Sequence, residues 1–136
     1  MSIGARSIID DTGTLIAIHI ETTSDLGSGI NFLTEGESEL QVGVFKHPSN
    51  HLIRRHWHPP FVRELSRTCE VLYLETGRIE VELFNNSLVP IETFTLNPGG
   101  ILVLLSGGHG FKTLEPSTLI EVKQGPYAGN KDKELF

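Results

Sequence analysis

The sequence predicts an all-β domain whose sheets roll into a barrel or double-sheet jelly roll. Short runs rich in β-branched and aromatic residues recur along the 136 residues, and the 14 glycines and 7 prolines fall between them as turn chemistry. No apolar pattern of helical period reaches normal helix length. Strands this numerous in one small domain leave unpaired edges unless the sheets close on themselves.

In chain order, the predicted strands are 15–20, 39–46, 52–58, 70–74, 78–84, 91–96, 101–105, 110–114 and 118–124. The connections carry residues that tolerate positive φ or a fixed proline φ: Glu75-Thr76-Gly77, Asn85-Asn86-Ser87, Asn97-Pro98-Gly99-Gly100, Ser106-Gly107-Gly108 and Glu115-Pro116-Ser117. Segments 4–14 and 22–37 are polar, Gly/Ser/Thr-rich and weakly periodic, the composition of long surface connections or of a loosely held amino-terminal arm over about residues 1–38. The tail 129–136 is charged, with Leu135 and Phe136 available to dock on a neighbour. Neither a repeat nor a linker divides the chain, so a single domain over 1–136 is expected.

Charge and cysteine content narrow the function classes. Eleven Lys and Arg against 17 Asp and Glu give −6, which argues against a surface built to neutralise nucleic-acid phosphates or an anionic membrane. The longest apolar run, 101–105, is far short of the roughly 20 residues that span a bilayer. The amino terminus lacks the basic-then-apolar pattern of a secretion signal, and a cytoplasmic, soluble protein is expected. Cys69 is the single cysteine, which excludes an intramolecular disulfide and a cysteine-based zinc cluster. Any metal must therefore use histidine and carboxylate.

Those residues gather in a pattern. On a strand over 52–58, His56 and His58 point to one face, because side chains two apart share a side. Glu70 opens the next run and shares its face with Leu72 and Leu74, and an acid on an apolar face demands a partner. His109 follows the Ser106-Gly107-Gly108 turn, which can bring a third imidazole over the same space. Three imidazoles and a carboxylate form a mixed ligand set suited to one divalent transition metal: Mn, Fe, Co, Ni or Zn.

Here the chain resembles the cupin family. That family's first motif joins His-x-His to a Glu followed by six residues and Gly, and Glu70-Val71-Leu72-Tyr73-Leu74-Glu75-Thr76-Gly77 matches its second half. The second motif is matched by Pro98-Gly99-Gly100, the strand after it, Leu105-Ser106-Gly107-Gly108 and His109. The resemblance covers roughly residues 40–124. It implies a cupin-type double-stranded β-helix, a jelly-roll barrel, with His56, His58, Glu70 and His109 in the four protein metal-ligand positions. Three departures stand: the gap between the histidine pair and Glu70 is the long stretch 59–69, Gly100 replaces the usual Asp, and Leu105 replaces the usual turn proline. Glu64, inside the long stretch, is closer to the family's spacing and is the alternative ligand; the run to Gly77 favours Glu70.

The run Ile120-Glu121-Val122-Lys123-Gln124-Gly125-Pro126-Tyr127 resembles small single-domain cupins associated with surface-polysaccharide and nucleotide-sugar pathways. It implies a sugar-like or otherwise oxygenated substrate. Around the predicted site, Arg54 shares parity with His56 and His58 and can bind an anionic ligand or pair with an acid at the rim. Phe111 shares the face of His109 as an aromatic wall or as core. Arg63 and Arg67 can form a cationic lip or remain solvated. Cys69 and Tyr73 oppose Glu70 in parity, so Cys69 reads as a packed thiol, and Trp57 faces away from the histidine pair. His19, His47 and His51 have no comparable spacing and read as structural or surface residues.

The expectation is a metal-dependent enzyme of isomerase or epimerase type. The alternatives are an iron-dependent dioxygenase and a non-catalytic small-molecule binding or sensor protein. A homodimer is expected from the polar arm, outward Trp57 and the tendency of sheet edges to pair across subunits.

Overall fold

A computed structural model describes residues 4–136. It is all-β: β1 (Ala5–Ile9), β2 (Leu15–Ile20), β3 (Gly29–Phe32), β4 (Gly43–Lys46), β5 (Glu70–Thr76), β6 (Ile79–Phe84), β7 (Pro90–Leu96), β8 (Ile101–Leu104), β9 (Gly108–Thr113) and β10 (Thr118–Lys123), with a 3-10 turn at Gly129–Lys131. Every pairing is antiparallel. Five strands form one sheet in the order β1-β2-β8-β5-β10, three form a second in the order β7-β6-β9, and β3 and β4 make a hairpin.

The architecture is a β-sandwich. Leu72, Leu74, Leu102 and Leu104 from the five-stranded sheet pack against Ile79, Val81, Leu83 and Leu96 from the three-stranded one, all buried. This burial rests on strict alternation: in β6 the buried residues Ile79, Val81 and Leu83 are separated by Glu80 and Glu82. The opposite face of the large sheet is also apolar, with Ile18, Ile20, Cys69, Val103 and Leu105 covered by Leu33, Leu40 and Val42. A sheet buried on both faces explains why β8, Ile-Leu-Val-Leu, reads as an unbroken apolar run. Gly77 makes the turn from β5 to β6 with φ +90°, beside Pro116 and Ser117.

The two long sides of the sandwich differ. On one, Arg6 of β1, His19 of β2 and Phe94 of β7 meet between the layers. The His19 ring stacks on Phe94 at 4.5 Å, and Arg6 bridges to Glu92 on β7 at 2.7 Å. On the other side lie β9 and β10, each with a single strand neighbour among the described residues. That side carries the exposed apolar side chains Ile120 and Val122, and Phe111 is partly exposed there.

Two expectations are corrected. Residues 52–58 form no strand: all of 51–68 is irregular and exposed, and no strand among the described residues pairs with it. Segments 4–14 and 22–37 are not merely loose connections, since they contain β1 and β3. The polar side chains of β1 are used rather than solvated, with Arg6 reaching His19 and Glu92.

Candidate functional site

Glu70 and His109 meet across the two layers. On β5, Glu70 pairs with Leu104 and shares the inner face with Leu72 and Leu74. On β9, His109 pairs with Leu83, which is also an inner-face core residue. The sheets thus aim a carboxylate and an imidazole at one another, with His109 Nε2 at 3.4 Å from Glu70 Oε2. The imidazole N–H donates to the carboxylate and holds Glu70 below the ordinary carboxylate range, against the opposing effect of burial. The acid on an apolar face has the partner its position demanded.

Around this pair, Phe111 lies next to His109 on the inner face of β9, with ring centroids 5.3 Å apart. Glu121 and Lys123 of β10 share the face of Glu70, and Lys123 is tied to Asp132 of the tail at 2.9 Å. The tail continues to Phe136, whose ring meets Phe84 edge-on at 5.0 Å and lies against Gly108. It therefore bridges the two sheets at the end where Glu70 and His109 sit. Phe136, which the sequence left free to dock on a neighbour, docks on its own chain.

The other predicted site residues lie apart from this pair. His56 and His58 are on the exposed segment, with rings 5.3 Å apart and edge-to-face. The strand meant to aim them inward is absent, yet the two rings remain neighbours. His56 Nδ1 is 2.8 Å from the Arg54 carbonyl oxygen. A carbonyl only accepts, so Nδ1 carries the proton and Nε2 presents a lone pair, the tautomer a metal ligand requires. Arg54 and Glu64 are exposed on the same segment. Arg63 stacks over Phe61 at 3.9 Å, and the backbone N–H of Arg67 donates to Glu39. Among the described residues no group of three or more His, Cys, Asp or Glu is gathered tightly enough to hold a metal ion. The donors fit a transition metal in kind, but in this arrangement they stand as two pairs.

Cys69 is a packed thiol, as parity required: it is buried on the outer face of the large sheet, and burial raises its pKa. It lines a cavity of about 200 Å³ with Leu15, Glu37, Ser38, Glu39, Arg67 and Leu105. That cavity is on the far side of the sheet from Glu70, and the Glu70–His109 pair faces the open side of the sandwich instead. One polar centre was not singled out from the sequence. His19, 1% exposed, accepts from Arg6 Nε at Nδ1 (3.2 Å) and donates from Nε2 to Glu21 Oε1 (2.9 Å). The signal was a histidine inside an otherwise apolar strand with a glutamate two residues on, on the same face.

No protein-family model, curated protein or solved structure matches the chain. No helix among the described residues is long and apolar enough to cross a membrane.

Proposed function

We propose that the chain is a cupin-type metal protein in which His56, His58, Glu70 and His109 hold one divalent transition metal and act on a small oxygenated, sugar-like substrate by isomerisation or epimerisation. The observation that carries this reading is the inward meeting of Glu70 with His109 across two sheets, on the side of the sandwich where β9 and β10 are the end strands. A carboxylate oxygen and an imidazole nitrogen facing each other are donors of the kinds a divalent transition ion takes. The lone pair of His56 Nε2 supports the second half of the ligand set.

A bound divalent ion supplies polarisation of a carbonyl and capture of adjacent oxygens. The remaining work belongs to side chains of the chain itself. Phe111 offers a flat apolar wall next to His109 for a sugar ring or planar group. Arg54, two residues before His56, offers a forked donor to an anionic or enolate oxygen. Glu121 and Lys123 line the approach from β10.

Elemental analysis of protein purified without chelator tests the reading. About one transition-metal ion per chain is expected in the native protein and little in a His56→Ala/His58→Ala/His109→Ala variant. Glu70→Ala should weaken binding more than about a hundredfold, beyond what loss of a supporting hydrogen bond does, and Glu64→Ala should leave it intact. Full metal content in the triple variant, or a larger effect from Glu64, would overturn the assignment. Substrate turnover with uptake of oxygen would replace the isomerase reading by the dioxygenase one.

A further inference from the structure

We infer that the site is completed between two copies of this chain: the segment 51–62 of one protomer adds as a strand to the free edge of β9 in its partner. For the role of His56 and His58 this rests on the metal reading above; the strand exchange itself does not.

The chain supplies both the donor and the acceptor. Residues 51–68 are exposed throughout, and Leu52, Ile53, Trp57, Phe61 and Val62 are between 57 and 92% exposed. So many large apolar side chains in one short stretch mark an interaction surface rather than a solvated loop. The only hydrogen bond among the described residues that involves 51–65 is the local one from His56 to Arg54. Residues 52–58 also carry β-branched and aromatic side chains, Ile53 and Trp57, with His56 and His58 two apart, which is why they read as a strand. Among the sheet-end strands β9 is the one that carries His109, and as the end of the β7-β6-β9 sheet its outward N–H and C=O groups are a template for one more antiparallel or parallel neighbour.

Charge fits the two surfaces together. Residues 50–65 carry three arginines, Arg54, Arg55 and Arg63, against one glutamate, Glu64, a net of +2 within a chain of −6. Beside the β9 edge, β6 presents Glu80 and Glu82 on the outer face, paired with Lys112 and Gly110. If His56 and His58 face inward on the added strand, Arg55 and Trp57 face outward, on the side of Lys112 of β9 and, one strand beyond it, of those glutamates.

The occupant is a second copy because of how the segment is tethered. Before it, Lys46 is pinned through Nζ to the carbonyls of Thr23 and Leu26; after it, Ser66 and Arg67 are pinned to the Glu39 carboxylate. Leu40 and Val42, next to Glu39, cover the outer face of the large sheet, the layer opposite β9. In the same chain the end of the sandwich is bridged by the tail, from the Lys123–Asp132 pair to Phe136 on Phe84. Between these anchors the segment is exposed along its whole length, its own β9 edge left uncovered by it. A two-fold partner takes it and returns its own, an isologous exchange that fills both edges.

Thiol cross-linking tests this without metal. Chains carrying Ile53→Cys and, separately, Lys112→Cys, each at an exposed outward position, are co-expressed and treated with a short flexible bis-maleimide; Cys69, buried, stays unlabelled. The expected product is a covalent species of twice the chain mass that joins the two tagged chains and is missing from either variant alone. An internal link in the Ile53→Cys/Lys112→Cys double variant, with no cross-link in the mixture, would mean that the segment folds onto its own β9 and would overturn the inference. No link in either would overturn it too. A cross-linked dimer that takes up no added zinc would refute the metal reading alone, and a metal-loaded monomer would refute the exchange alone.

Discussion

Replacing His19 by alanine removes an imidazole that is 1% exposed, stacked on Phe94 at 4.5 Å and hydrogen-bonded at both nitrogens. The stack is worth about 0.5–1.5 kcal/mol. The two hydrogen bonds are worth about 1 kcal/mol each rather than the cost of a stranded charge, because Arg6 keeps Glu92 and Glu21 keeps Asn97. With the cavity left behind, the loss should be about 3–4 kcal/mol in urea unfolding near neutral pH. His19→Phe keeps ring volume and stack, and should cost about 1–2 kcal/mol. Burial, and to a lesser degree Arg6, pushes the His19 pKa below its ordinary 6.5, while Glu21 and Glu92 oppose that shift. The unfolded chain therefore takes up the proton first as the solution is acidified. The contribution of His19 is fully present above pH 6.5 and is lost as pH falls below it, with a slope of at most about 1.4 kcal/mol per pH unit for one proton. In His19→Phe this component vanishes, so the stability gap between wild type and variant should shrink on going from about pH 7.5 to about pH 5. A constant gap, or an alanine variant no worse than phenylalanine, would refute the account of the cluster.

Two further outcomes are expected. Gly77→Ala should destabilise by about 2–5 kcal/mol in the same assay, since a side chain at φ +90° is strained and its methyl would overlap Ser117 and the Pro116 carbonyl; a change below about 1 kcal/mol would show that the turn relaxes freely. Arg54→Ala should weaken binding of a small anionic ligand, measured by calorimetry, while leaving metal content and melting temperature unchanged, because its side chain is exposed; joint loss of metal and stability would make it a partner of an acid instead.

Seven of the ten strands, β2 and β5 to β10, were legible because they are runs of β-branched, aromatic or alternating residues separated by turns, several of them at glycine, as at Gly77, Gly99 and Gly107. Of predicted strand 39–46 only Gly43–Lys46 forms, and β1 and β3 escaped notice because they are short and half polar. Their stability comes from distant partners such as Glu92 for Arg6, which local pattern cannot reveal. The same limit produced the strand at 52–58: alternation states which face a residue would take, but not whether a neighbouring strand is there. Glu70 was legible through the cost of burying an acid, and its partner His109 through the turn that precedes it. His56 and His58 were legible as a pair, whereas their position relative to Glu70 depends on where a long unpaired segment comes to rest.

The order of the large sheet has a consequence for synthesis on the ribosome. β2 has only β1 beside it until β8 is made, and Ala17 waits for Leu104, 87 residues later, before its ladder is complete. At roughly 5–20 residues per second that delay is on the order of ten seconds. During it the sequence Leu-Ile-Ala-Ile-His-Ile, almost wholly buried in the finished domain, is held by one partner strand. The nascent chain therefore carries a sticky hairpin for most of its own translation, and the yield of folded protein should respond to chaperone supply and to growth temperature more than the stability of the finished fold would suggest.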